Sequence, residues 1–420
     1  MIGIFIQHFI CLDAKAQGNI YYTNPLTFDP TAQGNIHVGP IKVDPFFSTS
    51  ESYDNNIFDA ARNKESDFIT TLSPGINLSS PIKSIKSEAN FNYLANFLEY
   101  ADHSDESHID QYLGGSFKTM FPFGLGLIIQ DRFEDTERPP YYDLIYGELV
   151  QRIRRHSNDF SATVALPEYF GRLEPEIYYS NYDIQYEDTT STNAQGTTTT
   201  FVGKNSSYNT QLIGTRLTYK LFTKLNTLAE FNVGKTSYDT NVIGDSEFFE
   251  SLFGIQFKET AKTTGVFKVG YRIRNYDNEK FDQFNGMVLS YESRTLLTPS
   301  TYLDILLRRS QEEALVTNSI ADRNFYELNS LYLTISRQIT GKIKGNFSNY
   351  YQLLNYPAVQ SGQSDIKTFT FGFRPFIDYK IQKWLTATLS FWYDNRSESS
   401  NISGLGWEKS VTTFTIGATF

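Results

Sequence analysis

One cysteine stands in 420 residues, Cys11 near the start. Beyond it the chain has no thiol, which excludes disulfide staples and thiolate catalysis there. Long apolar runs are missing too: no interior stretch approaches the roughly 18 apolar residues of a spanning helix. Mean hydropathy is −0.38, too polar for a helical membrane protein. Basic excess is also absent. Lys and Arg number 37 against 47 Asp and Glu, a net charge of −10. A duplex nucleic-acid binder shows the opposite balance, so no nucleic-acid partner is expected. No interior linker or break in composition divides the chain, so one large domain is favoured over several.

Catalytic constellations are equally scarce. The five histidines are His8, His37, His103, His108 and His156. There is no phosphate loop, no G-x-S-x-G and no zinc-type spacing. His103 and His108 share one expected external loop with Asp102, Asp105, Glu106 and Asp110. That cluster reads as a solvated acidic loop or as a divalent-cation site. His156 follows Arg152, Arg154 and Arg155, a basic run that fits lipopolysaccharide phosphates, anionic sugar or plain solvation. Glu148 and Asp143 lie nearby without acid/base spacing. No catalytic residue, metal ligand or cofactor is therefore named, and no enzymatic activity is expected.

What is present is aromatic alternation. Tyr 28 and Phe 34 stand against three Trp, and aromatics make up 15% of the chain. Tyr and Phe favour strands, and Tyr suits membrane interfaces. The last segment places Thr412, Phe414, Ile416, Ala418 and Phe420 on one face and Val411, Thr413, Thr415, Gly417 and Thr419 on the other. An apolar row ending on a C-terminal aromatic has the form of the signal read by the outer-membrane barrel assembly machinery. Upstream, segments longer than ten residues repeat this alternation between turn residues. That is the sequence form of an all-β, transmembrane, antiparallel up-and-down β-barrel, of about 18 strands with 16 as the alternative. Expected strands begin with 41–54 and end with 407–420. Short connections such as 222–224, 260–262, 297–299 and 381–383 alternate with longer ones such as 55–65, 136–152, 188–205 and 313–322. Barrels put tight turns in the periplasm and long loops outside. The Thr-rich stretch Thr189 to Thr200 is expected to be mobile, and loop 136–152 to lie outside or fold inward as a constriction.

Ahead of the barrel, Ile2 to Leu12 forms a short apolar core, and Ala14-Lys15-Ala16 has the small-x-small form of a signal-peptidase site. Residues 1–16 are expected to be a signal peptide, 17–40 a turn-rich periplasmic segment, and 41–420 the barrel.

Strand alternation lets each face be read directly. In 364–380, Phe369, Phe371, Phe373, Pro375, Ile377 and Tyr379 face lipid, while Thr368, Thr370, Gly372, Arg374, Phe376 and Asp378 face the lumen. In 383–398, Leu385, Ala387, Leu389, Phe391 and Tyr393 face out, against Thr386, Thr388, Ser390, Asp394 and Arg396. In 263–277, Phe267, Val269, Tyr271 and Ile273 face out, against Lys268, Gly270, Arg272 and Arg274. A charge at the midplane on the lipid face costs about 2–4 kcal/mol, so the charged rows face inward. The pore-lining candidates are Arg272, Arg274, Lys268, Glu174, Glu176, Arg216, Arg374, Arg396 and Asp394. Lys118, Arg132, Lys220, Lys258, Arg308, Lys344, Glu230, Glu292, Asp304 and Asp378 share that face. Two readings stand open: inter-strand salt bridging, or charged rings that select solutes by sign. Arg272/Arg274 and Glu174/Glu176 are the candidates for opposed walls. Pro375 lacks a ladder donor and is expected at a bulge or unpaired position. Tyr53, Tyr100, Tyr179, Tyr271, Tyr291, Tyr379 and Tyr393 are expected in the interfacial girdle.

Tyr53-Asp54-Asn55-Asn56-Ile57-Phe58, followed by Asp67 to Leu78, resembles the start of outer-membrane β-barrel porin families, some members of which are linked to exopolysaccharide production and export. Phe133-Glu134 and the region Arg154-Arg155 to Asn158-Asp159 are similar as well. The resemblance covers most of the chain in pattern and the first two strands in specific residues. It implies an outer-membrane barrel and a conduit for an anionic or neutral polysaccharide; outer-membrane lipid and lipopolysaccharide are the expected partners of the barrel surface. It implies no catalytic residues. The reading that follows is a passive pore for sugars or polysaccharide, with Trp384, Trp392 and Tyr350 stacking on sugar faces. A closed structural or adhesive barrel acting through its loops is the second, and a rim-located hydrolase the third.

Overall fold

The computed structural model describes residues 36–82, 87–138, 153–167, 170–192, 198–242, 244–257, 262–278, 283–313, 324–358, 364–397 and 406–420. The expected signal peptide, most of the segment 17–40, most of loop 136–152 and Lys258 lie outside them.

Alternating sequence yields strands almost everywhere. They are β1 (Ile36–Val38), β2 (Ile41–Asp54), β3 (Asp67–Ile82), β4 (Ser87–Tyr100), β5 (His108–Met120), β6 (Gly126–Arg138) and β7 (Ile153–Ala165). Next come β8 (Leu173–Tyr186), β9 (Thr189–Thr192), β10 (Thr198–Phe201), β11 (Tyr208–Phe222), β12 (Leu225–Tyr238), β13 (Ser246–Phe257) and β14 (Thr263–Tyr276). The last are β15 (Phe284–Thr298), β16 (Thr301–Glu313), β17 (Phe325–Gln338), β18 (Ile343–Tyr356), β19 (Ile366–Gln382), β20 (Leu385–Arg396) and β21 (Trp407–Thr419). Strands β2–β8 and β11–β21 pair antiparallel with their sequence neighbours, β8 joining β11 directly. β2 pairs β21 from Phe46↔Thr419 to Asp54↔Val411, which closes the ring. The result is a closed barrel of 18 strands, as expected, and the 16-strand alternative falls. Barrel strands run from 12 to 17 residues, longer than the roughly 9–11 that a tilted crossing needs. Among the described residues no helix is long and apolar enough to cross a membrane.

The apolar surface is on the outside. Ile177 and Ile213 are about 60% exposed, and Phe68, Val233, Phe253 and Leu389 are also well exposed. Lipid removes such a band from water; a water-soluble surface would not carry one of this extent. Along β21 and the residue after it, Phe414, Ile416 and Phe420 are exposed while Thr413, Thr415 and Thr419 are buried, so the C-terminal apolar row faces outward. Tyr53, Tyr271 and Tyr379 also face out. Tyr100 does not: it is buried against Ile57 and Ile69 inside the barrel, which removes it from the girdle.

Turn chemistry fixes one end. β1 and β2 form a hairpin through Gly39 (φ 62) and Pro40. In the β5–β6 turn the Phe121 amide donates to the Leu125 carbonyl at 2.8 Å around Gly124 (φ 84). Both positions need the left-handed backbone that glycine adopts without strain. Pro375 lies where β19–β20 pairing lapses, between Phe373↔Tyr393 and Phe376↔Ser390. Pro74 marks the same lapse between β3 and β4. A residue without an N–H fits where no partner is bonded.

Two further features differ from the expectation. β1 joins the sheet although its residues fall in the segment assigned ahead of the barrel. Parts of the Thr-rich stretch pair as the β9–β10 hairpin, Thr198↔Thr192 to Phe201↔Thr189, because Thr suits strands as well as loops.

Candidate functional site: a self-paired lumen wall

Inward rows carry the charge, and register sets their partners. Arg216 on β11 stands opposite Glu176 on β8 and Glu230 on β12. Its Nη1 donates to Glu176 at 3.0 Å and its Nε to Glu230 at 2.6 Å. Lys268 on β14 reaches the same Glu230 oxygen at 2.7 Å across the intervening β13. Lys220 pairs with Glu174 at 2.6 Å nearer the short-turn end. Toward the long-loop end, Arg272 donates to Glu250 at 2.9 Å, and Asn232 donates to the other Glu250 oxygen at 3.0 Å. Asn232 in turn accepts from the Tyr178 hydroxyl. The Tyr178 ring lies flat across Gly214, where a Cβ would collide with it. Arg272 and Arg274 sit over the Phe248 ring at 5.2 and 4.7 Å. Arg274 forms an ion pair with Glu313.

The wall built by β17–β20 repeats the device. The Tyr350 ring lies across Gly372 and its hydroxyl donates to Asp394. Arg374 is 3.7 Å from the other Asp394 oxygen and lies over Trp392 at 4.2 Å and Tyr350 at 5.2 Å. Tyr332 stacks on Tyr350 at 5.6 Å. Arg396 is buried and donates to Thr368 at 3.3 Å.

Each pore-lining candidate thus stands on the inner face, but the grouping changes. Arg272/Arg274 and Glu174/Glu176 are not opposed: β11, β12 and β13 alone separate β14 from β8. They belong to one stretch of wall in which each forms an ion pair with a nearby strand, the pattern the salt-bridging reading expects. Tyr350 is 5% exposed and spends its ring on Gly372, so it presents no free face for stacking. Trp392 carries Arg374 on its ring. Trp384, 50% exposed, sits in the β19–β20 turn. Sequence reading missed Glu250, although it falls in the inward row Phe248, Glu250, Leu252, Gly254. It also missed Lys409, which joins Asp54 and Asp59 at 2.9 Å each and ties the first long loop to β21 beside the closing seam. The inward parity of Lys409 in β21 was the available signal.

The loop histidine has a structural explanation. His103 Nδ1 is 2.8 Å from Asp67 and Nε2 is 2.7 Å from Glu65. Those hydrogen bonds hold its pKa above the ordinary 6.5. Among the described residues no group of three or more His, Cys, Asp or Glu is placed to hold a metal. Within the basic run, Arg152 lies outside the described residues, Arg154 pairs with Asp135 at 2.7 Å, and the following His156 lies 3.3 Å from Asp135 and 3.2 Å from Glu187.

Residues 29–419 match the sequence family described as "Putative beta-barrel porin 2". The chain belongs to this family of β-barrel porins. The porin is an outer-membrane protein, and its barrel is a porin-like channel. A comparison with curated proteins finds no match. Among solved structures, the porin is similar to the outer-membrane protein OpdK from Pseudomonas aeruginosa, with TM-score 0.47, 10% identity, and 90% of this chain and 99% of that one covered. It is similar also to OccAB4 from Acinetobacter baumannii, with TM-score 0.44, 10% identity and 90% and 98% covered.

Proposed function

We propose that this porin passes neutral polar solutes, sugars or segments of exopolysaccharide, by passive diffusion. The observation that carries the reading is the self-pairing of the inner wall. Arg216, Lys268, Arg272 and Arg374 each meet a carboxylate from another strand. Such a wall offers hydrogen-bonding groups with little uncompensated field, so it favours hydroxyl-rich solutes over ions of either sign. Ser48, Ser50, Thr71, Ser73, Thr413 and Thr415 share the inner face and are buried there, so they add bulk and no charge to the wall. The chemistry is binding and passage, with no catalytic group in it. The outward row Phe414, Ile416, Ala418 and Phe420 serves as the assembly signal, and the long-loop rim meets lipopolysaccharide. The test is proteoliposome swelling with uncharged and uronic oligosaccharides of equal length. Faster swelling with the uncharged series supports the reading; equal exclusion of both opposes it.

One observation favours the second reading, a closed barrel acting through its loops. The buried apolar clusters gather toward the long-loop end: Tyr238, Tyr276, Phe284 and Phe325 in one, Tyr326, Leu328, Leu354, Tyr356 and Ile366 in another. No current from a folded barrel would support it.

A further inference from the structure

The barrel wall is split at one seam. β15 and β16 pair from Thr298↔Thr301 up to Leu289↔Arg309 and no further. Beyond that point β15 continues to Phe284 on β14, and β16 continues to Glu313 on β17. Two strand edges, Phe284–Val288 and Ser310–Glu313, therefore part company at the long-loop end.

Side-chain parity shows where the end of β16 goes. Leu307 faces lipid, so Arg309, Gln311 and Glu313 carry the outward parity, and so does Phe325 opposite Glu313. Yet Glu313 meets Arg274 and accepts from the Tyr238 hydroxyl at 2.7 Å. Gln311 donates to the Tyr276 hydroxyl at 3.1 Å, and the Phe325 ring stacks on Tyr276 and meets Phe284 at 5.5 Å. All those partners are on the inner face of β12, β14 and β15. The outer face of the β16–β17 end thus lies against the inner face of the wall, so this end is inside the barrel. Ser310, Gln311 and Glu312 are buried in succession, which an alternating wall strand does not show. The split edges are capped by side chains. Arg309 Nε donates to the Met287 carbonyl at 3.2 Å, and Arg272 Nη1 to the Gln311 carbonyl at 3.2 Å.

Met287 and Gln311 are the residues that would face each other if the Leu289↔Arg309 register simply continued. Val288 would meet Ser310, Gly286 would meet Glu312, and Asn285 would meet Glu313. We propose that the end of β16 is a two-position switch. In the observed position it is folded in, narrows the long-loop end, and leaves Arg272 and Arg309 standing in for missing strand partners. In the second it zips onto β15, turns Gln311, Glu313 and Phe325 outward to the rim, and opens the pore. Both packings use the same segment, the condition for a bistable element. The proposal rests on the porin being a channel, not on its solute.

Two cysteine pairs in a Cys11→Ser background separate the positions. Phe284→Cys with Phe325→Cys joins groups that touch in the folded-in position. Met287→Cys with Gln311→Cys joins groups that face each other in the zipped one. Full-length barrels are refolded, scored for folding by heat-modifiable mobility, oxidised, and measured in planar bilayers in potassium chloride. The expected result is that both pairs cross-link in folded barrel. The first lock then holds the small conductance step, the second shifts it to a larger one, and reduction reverses both. A 287/311 pair that stays reduced in barrel that cross-links at 284/325 overturns the proposal. So does a conducting barrel whose two locks give the same step. A folded barrel silent in both locks and without them overturns the opening and the channel reading together.

Discussion

Glu230→Gln tests the self-paired wall most sharply on the side of stability. Glu230 is 2% exposed and lies 2.6 Å from Arg216 and 2.7 Å from Lys268. The amide keeps the shape and removes the charge that both cations share. Removing one partner of a buried pair costs about 3–5 kcal/mol. Arg216 retains Glu176 at 3.0 Å, so the expected loss lies toward the lower end, about 3 kcal/mol. Glu174→Gln is the matched comparison. Its partner Lys220 is 41% exposed, and an exposed pair is worth about 0–1 kcal/mol. Equilibrium urea unfolding of refolded barrel should show a lower midpoint for Glu230→Gln at unchanged slope, and little change for Glu174→Gln. The Glu230→Gln barrel should also move its reversal potential toward anion preference. Equal midpoints for the two variants would refute the reasoning, because they would mean that lumen water, not the neighbouring strands, satisfies these charges.

Gly372→Ala should destabilise the barrel by about 1–3 kcal/mol through overpacking, since its Cβ would collide with the Tyr350 ring and Asp394; near-ultraviolet dichroism and urea midpoints report it. His103 bridges two long loops with a raised pKa, so its contribution is complete below its unfolded value near 6.5 and is lost as pH rises through the higher folded value. Protease cleavage within 55–66 should therefore quicken as pH rises through that window, and His103→Ala should cleave fast throughout; pH-independent cleavage of the parent would contradict the bridge. Deleting Phe420, which ends the outward row of β21, should lower the folded fraction in the outer membrane, read by heat-modifiable mobility, more than it lowers refolding in detergent.

The sequence-to-structure path was clearest where one face met lipid. A one-residue slip would turn a whole apolar row inward, so alternation alone placed β2, β14 and β21 to within a residue or so of their observed bounds. The same parity assigned Lys268, Arg272, Arg374 and Asp394 to the inner face. Who pairs with whom was not legible, because partners are set by register across strands distant in sequence, as for Arg216 with Glu176 and Lys268 with Glu230. Flattened rings were hidden for the same reason: Tyr350 looks free until Gly372 is known to lie beneath it. The inward fold of the β16 end left a signal that went unused. After Leu306-Leu307 the strand runs Arg308-Arg309-Ser310-Gln311-Glu312-Glu313, polar on both faces with no apolar row for lipid, and the loss of pairing after Leu289↔Arg309 shows that its outer face has become an inner contact.

The most direct test of the central claim is single-channel recording in a planar bilayer across a salt gradient, with and without uncharged oligosaccharides. The self-paired wall requires a stable current, a reversal potential near zero, and block by the uncharged sugar. A strongly charge-selective current that uncharged sugar leaves untouched, or silence from a folded barrel, would contradict it.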